Sequence, residues 1–215
     1  YPMNVLLDFD GVLMQNTKID NIIKERSVRY VKSRTKLSME NAKVLNQNLY
    51  PTVGHTALII NNTKHYHNEV YEYNKEVFYT MNFQDDIRPC IHADDFNHIE
   101  NILEILAENK KKPGLFTNTP LLWVEQNLQF LGLHVEDVFD TDMLFTSDEG
   151  FIKPKYDTYE KVDQSMGERN TIFVDDSITN ITTAAQFPNW FCFHAPNRKP
   201  ELLYTYLKLI NTIAK

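Results

Sequence analysis

The chain opens on an almost unbroken apolar run, Met3-Asn4-Val5-Leu6-Leu7, that stops at Asp8-Phe9-Asp10-Gly11-Val12-Leu13. Such a run suits a short strand buried on both faces of a parallel sheet. From Asn16 to Arg88 the rhythm becomes helical. Thr17 can cap a helix reaching Thr35, with Ile19, Ile22, Ile23, Val28 and Val31 as an irregular apolar stripe. Ser38 can cap a second helix carrying Met39, Ala42, Leu45 and Leu49, and Pro51 and Gly54 punctuate the chain before Ala57-Leu58-Ile59-Ile60. Residues 61–80 are crowded with Tyr, His and Asn and read as one or two short helices; Tyr66, Tyr71, Tyr73 and Phe78 are expected to pack a helical bundle. No strand alternation occurs here, so the segment reads as a helical insert lying over the mouth of a sheet.

From Pro89 onward helices and strands alternate. Asp94 or Asp95 is expected to cap a helix whose Phe96, Ile99, Ile102, Leu103 and Leu106 share one face. A strand at Leu115-Phe116-Thr117 follows, then a helix over 121–130, a turn and third strand within 135–145, a helix over 156–166, and a strand at Thr171-Ile172-Phe173-Val174. A helix over 178–187, a fifth strand over 190–193 and a last helix over 199–213 complete the pattern. This order predicts an α/β fold with a doubly wound parallel sheet and right-handed crossovers. The expected division is a core of residues 1–15 and 89–215 and an all-helical insert of residues 16–88.

With 215 residues the chain is long enough for a substantial core, and its net charge of −7 with no basic stripe argues against nucleic acid as a partner. Cys90 and Cys192 lie far apart in apolar contexts and are expected to be reduced thiols. No apolar run approaches membrane-spanning length and no leader precedes the first strand, so no membrane partner and a cytoplasmic location are expected. Monomer and dimer are both compatible with the sequence.

Chemistry collects at the strand ends. In an open α/β sheet, ligands bind beyond the carboxyl ends of the strands. There the first strand supplies Asp8 and Asp10, the second Thr117 and Asn118, and the fourth Asp175-Asp176-Ser177. Two acids as close as Asp8 and Asp10 repel unless a cation sits between them, and Gly11 permits a backbone excursion there. Lys153 lies in a loop between Gly150 and Pro154. Taken singly, each piece has a plainer alternative: Thr117 could cap the next helix, Lys153 could be a surface charge, and Asp175-Asp176 could cap the helix that follows.

In their joint order, Asp8-Phe9-Asp10-Gly11-Val12-Leu13, Phe116-Thr117-Asn118, Lys153-Pro154 and Val174-Asp175-Asp176-Ser177 resemble the four motifs of the haloacid dehalogenase (HAD) superfamily. The resemblance implies a Rossmann-like core with an inserted helical cap, and a phosphatase acting on a small phosphorylated metabolite. It makes Asp8 the nucleophile that forms an aspartyl-phosphate, and Asp10 the general acid and then base. It implies Mg²⁺ held by Asp8, the Asp10 backbone carbonyl and Asp176, with Asp175 close by or also bound. Thr117 and Lys153 would hold phosphoryl oxygens, with Gly11 and the backbone near Asn118 contributing. Dehalogenase members lack the second acid, so Asp10 favours phosphate chemistry. A sugar-phosphate phosphatase or phosphomutase is the alternative activity, and a catalytically silent binding protein the alternative class.

The insert resembles the cap of yeast-type pyrimidine 5′-nucleotidases in Leu49-Tyr50-Pro51-Thr52-Val53-Gly54-His55-Thr56-Ala57-Leu58 and Asn68-Glu69-Val70-Tyr71-Glu72-Tyr73-Asn74-Lys75-Glu76-Val77. This implies a nucleoside 5′-monophosphate as substrate, with His55 and the hinge residue Asn16 as candidate contacts. The first motif departs from that branch, which commonly has Asn-Thr in place of Gly11-Val12.

Overall fold

The computed structural model describes residues 3–63, 65–108, 112–196 and 199–213. Five short strands form one parallel sheet in the order β3-β2-β1-β4-β5: β1 is Asn4–Leu7, β2 Gly114–Phe116, β3 Leu144–Phe145, β4 Thr171–Asp175 and β5 Trp190–His194. The α/β reading therefore holds. Strand order reverses beside β1, which is where a doubly wound sheet opens its crevice.

Between β1 and β2 the chain first forms α1 (Thr17–Thr35), α2 (Met39–Val53), α3 (Thr56–Ile60) and α4 (Tyr66–Asn74). It continues through two π-helical turns, Lys75–Tyr79 and Phe83–Ile87, and a 3₁₀ turn at Arg88–Cys90. The remaining helices are α5 (Ala93–Ala107), α6 (Leu121–Phe130), α7 (Val135–Val138), α8 (Tyr156–Ser165), α9 (Ile178–Ala184) and α10 (Pro200–Ile213). None of the described helices is long and apolar enough to cross a membrane.

Several boundaries differ from the sequence reading for local reasons. Asn16, not Thr17, caps α1: its side-chain oxygen accepts from the Lys18 and Ile19 amides at 3.0 and 3.2 Å. His92 is the residue that starts α5, and Asp95 reaches back as its third helical residue to accept the His92 amide at 2.8 Å. Pro51 does not end α2. It lies in the last turn, where it forfeits one donor, and the helix stops at Gly54 with φ 72°, the left-handed C-cap. Tyr71 is exposed instead of packing the bundle, whereas Tyr73 and Phe78 are buried.

The sheet buries one face under α5, α6 and α10 with Val70, Val77 and Phe78, and on the other its Phe116, Phe173 and Trp190 pack with Tyr159 of α8, Ile181 of α9 and Phe187. Polar bonds also tie insert to core. Thr179 Oγ1 donates to the Pro51 carbonyl at 2.8 Å, Asn74 Nδ2 to Ser147 Oγ at 2.9 Å, and Lys155 Nζ to Asn62 Oδ1 at 2.8 Å.

Candidate active site

Register builds the site. Leu7 lies opposite both Leu115 and Val174, so the next residue along β1 falls beside Phe116 and Asp175. That residue is Asp8. Its amide donates to the Val174 carbonyl at 3.0 Å, its Oδ1 accepts the Phe9 amide at 2.8 Å, and its Oδ2 lies 2.9 Å from Lys153 Nζ.

Lys153 is fully buried, which isolates a charge unless its protons are all taken. They are: besides Asp8, Nζ donates to Asp175 Oδ2 at 2.6 Å and to the Phe116 carbonyl at 2.7 Å. Burial alone would lower its pKa, but the carboxylates of Asp175 and Asp8 outweigh that and raise it. Asp175 is in turn saturated, its oxygens accepting from the Ser177 amide at 2.8 Å and Asn180 Nδ2 at 3.0 and 3.1 Å. It acts first as the holder of the lysine.

Asp176 is less enclosed. His194 Nε2 lies 2.9 Å from its backbone oxygen, and its carboxylate rests on Gly11, where an added Cβ would come within 2.1 Å of Oδ2. Gly11 has φ +83°, so it supplies both the backbone turn and the floor under Asp176. Asp8, Asp175 and Asp176 each offer a carboxylate oxygen, all within 4.8 Å of one another. Burial, with the two neighbouring acids and against the pull of Lys153, pushes Asp8 well above the usual carboxylate range. Burial, then Asp175, pushes Asp176 up to about 7. Three acids facing one ammonium leave negative charge in excess, and an all-oxygen donor set without His or Cys fits a hard divalent cation.

Asp10 points elsewhere. Its carboxylate lies outside that cluster, with both oxygens within reach of the Trp123 indole N–H at 3.0 and 3.2 Å. Burial pushes it up to about 7, against the Trp123 and Thr119 hydrogen bonds. Thr117 is buried, with its hydroxyl 2.9 Å from that of Thr119 and accepting the Thr119 amide at 3.3 Å.

Two expected substrate contacts are otherwise employed. The Asn118 amide group is a clamp: Oδ1 accepts the Lys153 amide at 2.7 Å, and Nδ2 donates to the Lys153 and Gly54 carbonyls, both at 2.9 Å. Asn16, besides capping α1, donates to the Cys90 carbonyl at 2.8 Å and to Asp95 Oδ2 at 2.9 Å, so both ends of its amide latch the two strands of the hinge together. His55 is buried, caps α3 by accepting the Ala57 amide on Nδ1 at 3.1 Å, and packs edge-on to Tyr73. Burial lowers its pKa to about 4, against a backbone hydrogen bond from Asn118, so the ring is neutral near pH 7.

Residues the sequence reading passed over complete the surroundings. Trp123 sits in Leu121-Leu122-Trp123-Val124, which looks like ordinary helix core. Asn180, just beyond the fourth motif, and His194, 18 residues past Asp176, support that motif with no local signal. Tyr50 lies exposed in the last turn of α2.

The protein-family profile for haloacid dehalogenase-like hydrolase matches residues 2–187. Among solved structures, a hydrolase from Pseudomonas syringae is similar with 14% identity over 99% of this chain and 90% of that one, at TM-score 0.54. A HAD family enzyme from Bacteroides thetaiotaomicron, an aspartate-to-alanine mutant in complex with magnesium and inorganic phosphate, is similar with 17% identity over 93% and 96%, at TM-score 0.52. A HAD phosphatase from Thermococcus onnurineus has 16% identity over 92% and 87%, at TM-score 0.50. At these identities the structural likeness speaks for the fold, and the profile for the family. Its match runs through every strand but β5 and through all the acids of the site, and the chain belongs to the haloacid dehalogenase-like hydrolase family.

Proposed function

We propose that this protein is a Mg²⁺-dependent phosphatase of small phosphate monoesters that works through an aspartyl-phosphate on Asp8, with residues 16–88 serving as its cap. The observation that carries the reading is the pairing of Asp8 with the fully buried Lys153 at 2.9 Å, beside two further acids and across from a separately held Asp10. Phosphate monoester hydrolysis is among the slowest of uncatalysed reactions, so a covalent route and strong charge stabilisation are both needed.

The Asp8 carboxylate attacks phosphorus, the ester P–O bond breaks, and Asp10 gives its proton to the departing oxygen. Asp10 then takes a proton from water, whose oxygen bonds to phosphorus as the Asp8–phosphorus bond breaks. Phosphate leaves and Asp10 is again protonated. Its elevated pKa, about 7, suits it to both transfers near neutral pH. Asp8, the Asp10 backbone carbonyl, Asp176 and Asp175 would hold the Mg²⁺, which supplies neutralising charge for the phosphoryl oxygens. Thr117 would hold those oxygens from the protein side, and Lys153 would turn toward them the proton it gives Asp8 as that carboxylate is phosphorylated.

The favoured substrate is a nucleoside 5′-monophosphate. The support is the resemblance of residues 49–58 and 68–77 to a nucleotidase cap, with Tyr50 exposed near the end of α2 as a ring able to stack on a base. Inorganic phosphate release from nucleoside monophosphates, sugar phosphates and acyl phosphates, with and without Mg²⁺ and with Asp8→Asn as control, tests the reading. Release dependent on both Mg²⁺ and Asp8 is expected. Absence of release from every substrate by folded, metal-treated protein refutes it, and movement of phosphate between substrate positions assigns a mutase instead.

A further inference from the structure

Asp10 is oriented by a side chain that belongs to none of the acid motifs. Trp123, on α6, is fully buried, and its N–H lies 3.0 and 3.2 Å from the two Asp10 oxygens. An indole N–H only donates, so it turns the carboxyl group without competing for a proton or adding charge. The ring is gripped from the other side by the insert. Phe78 and Phe83 place their ring centres 5.3 and 5.9 Å from it. They come from the two π-helical turns, a rare geometry often found at functional sites. Asn127 Nδ2 donates to the Trp123 carbonyl at 2.7 Å and steadies the backbone beneath the ring.

We propose that Trp123 is the positioning residue for Asp10, and that through Phe78 and Phe83 the aim of the Asp10 carboxyl group depends on how the 16–88 segment is seated. The inference rests on the reading of Asp10 as acid and base. An acid must stand within hydrogen-bond reach of the leaving oxygen, and a displacement of about 1 Å costs on the order of a hundredfold in rate. A core residue that merely fills space would instead affect every substrate alike. Of the two transfers assigned to Asp10, kcat/KM reads the first, to the leaving oxygen, so the loss of Trp123 is felt there in proportion to the need for that proton.

The test measures kcat/KM at saturating Mg²⁺ for an alkyl phosphate, whose leaving oxygen must be protonated, and for p-nitrophenyl phosphate, whose leaving phenolate needs no proton. Asp10→Asn, Trp123→Phe, Phe78→Leu and the double variant Asp10→Asn/Trp123→Phe are compared with the parent. Trp123→Phe is expected to lose roughly ten- to hundredfold with the alkyl phosphate and to stay within about threefold with the aryl phosphate. On the Asp10→Asn background it is expected to cost nothing more. Phe78→Leu keeps the indole N–H and reaches it from the insert, so it gives a smaller loss with the same substrate dependence even if Trp123→Phe fails to fold. Equal losses on both substrates, or full additivity with Asp10→Asn, reduce Trp123 to packing and overturn the inference. An inactive Asp10→Asn beside an unimpaired Trp123→Phe overturns the inference alone. An Asp10→Asn protein with full alkyl phosphatase activity overturns the acid–base reading, and this inference with it.

Discussion

Gly11→Ala tests the metal cluster through pure geometry. A Cβ at position 11 would lie 2.1 Å from Asp176 Oδ2, 2.4 Å from its Cγ and 3.0 Å from Oδ1. Ordinary contact needs more than 3 Å, so the carboxylate must retreat by about 1 Å. His194 holds the Asp176 carbonyl, so the residue cannot slide and the side chain must rotate. A side chain forced off its rotamer costs about 0.5–1.5 kcal/mol, and alanine at φ +83° costs about 1–2 kcal/mol more. Metal-free Gly11→Ala should therefore be about 2–3 kcal/mol less stable. Gly167→Ala is the control: its φ is +71°, but nothing lies within 4 Å of its Cβ, so it bears the backbone cost alone. The second effect is on the metal. At a hundred times its Kd, a cation stabilises the parent by about 2.7 kcal/mol. If the moved carboxylate weakens binding ten- to a hundredfold, the same concentration gives only about 1.4–0.4 kcal/mol. Urea unfolding with and without MgCl₂ measures both quantities. Gly11→Ala that matches Gly167→Ala in stability, or that gains as much from MgCl₂ as the parent, refutes the reasoning.

Two further outcomes follow from the buried charges. Lys153→Met strands Asp8 Oδ2, Asp175 Oδ2 and the Phe116 carbonyl, and breaking a buried pair in this way costs about 3–5 kcal/mol, a fall in Tm of roughly 6–20 °C by calorimetry; a fall under a few degrees would mean that water replaces the ammonium. Asp10 and Asp176 have folded pKa values of about 7, well above the ordinary 3.8, so the folded state binds more protons than the unfolded one between those values, and metal-free stability should fall as pH rises from about 4 to 7. Denaturant midpoints at pH 5, 6 and 7.5 check the sign, and saturating Mg²⁺ should remove the Asp176 share of the slope; a midpoint that climbs with pH contradicts it.

The strands were legible because each is an apolar run ended by a polar residue, and the sheet's register then follows from burying all of it. The acids were legible for the same reason, since chemistry at a strand end is adjacent in sequence to the signal that marks the strand; Lys153, in a loop past β3, stood out only by its order among the other motifs. What escaped were partners that folding alone brings close. Trp123 is 113 residues from Asp10 and is set among apolar helix positions, where an indole reads as core, and its ring does pack as core while its one polar atom serves the site. Helix starts were missed by one residue at Asn16 and by two or three at His92, since Thr17, Asp94 and Asp95 are also good caps by type and only the backbone chooses among them. The π-helical turns had no sequence mark, because Lys75–Tyr79 has the composition of any helix end.

Asn118 shows why the motifs and the insert must be understood together. By sequence it is a polar residue at a strand end and hence a candidate phosphate ligand, but all of its side-chain amide is spent on backbone: the Lys153 amide and carbonyl on one side and the Gly54 carbonyl on the other. The first pair fixes the loop from which Lys153 reaches Asp8. The last fixes the turn where α2 ends, and that turn approaches so closely that a Cβ on Gly54 would stand 2.4 Å from Pro154 Cδ and 2.8 Å from the Lys153 carbonyl. A single planar amide thus sets the height of the lysine and the seat of the insert against the same loop. Two of its three bonds hold the Lys153 loop and the third holds Gly54 at the end of α2, while Phe78 and Phe83 from the same helical segment pack on Trp123 beside Asp10. The surroundings of Lys153 and of Asp10 are thus built jointly by the strand-end loops and the helices between β1 and β2.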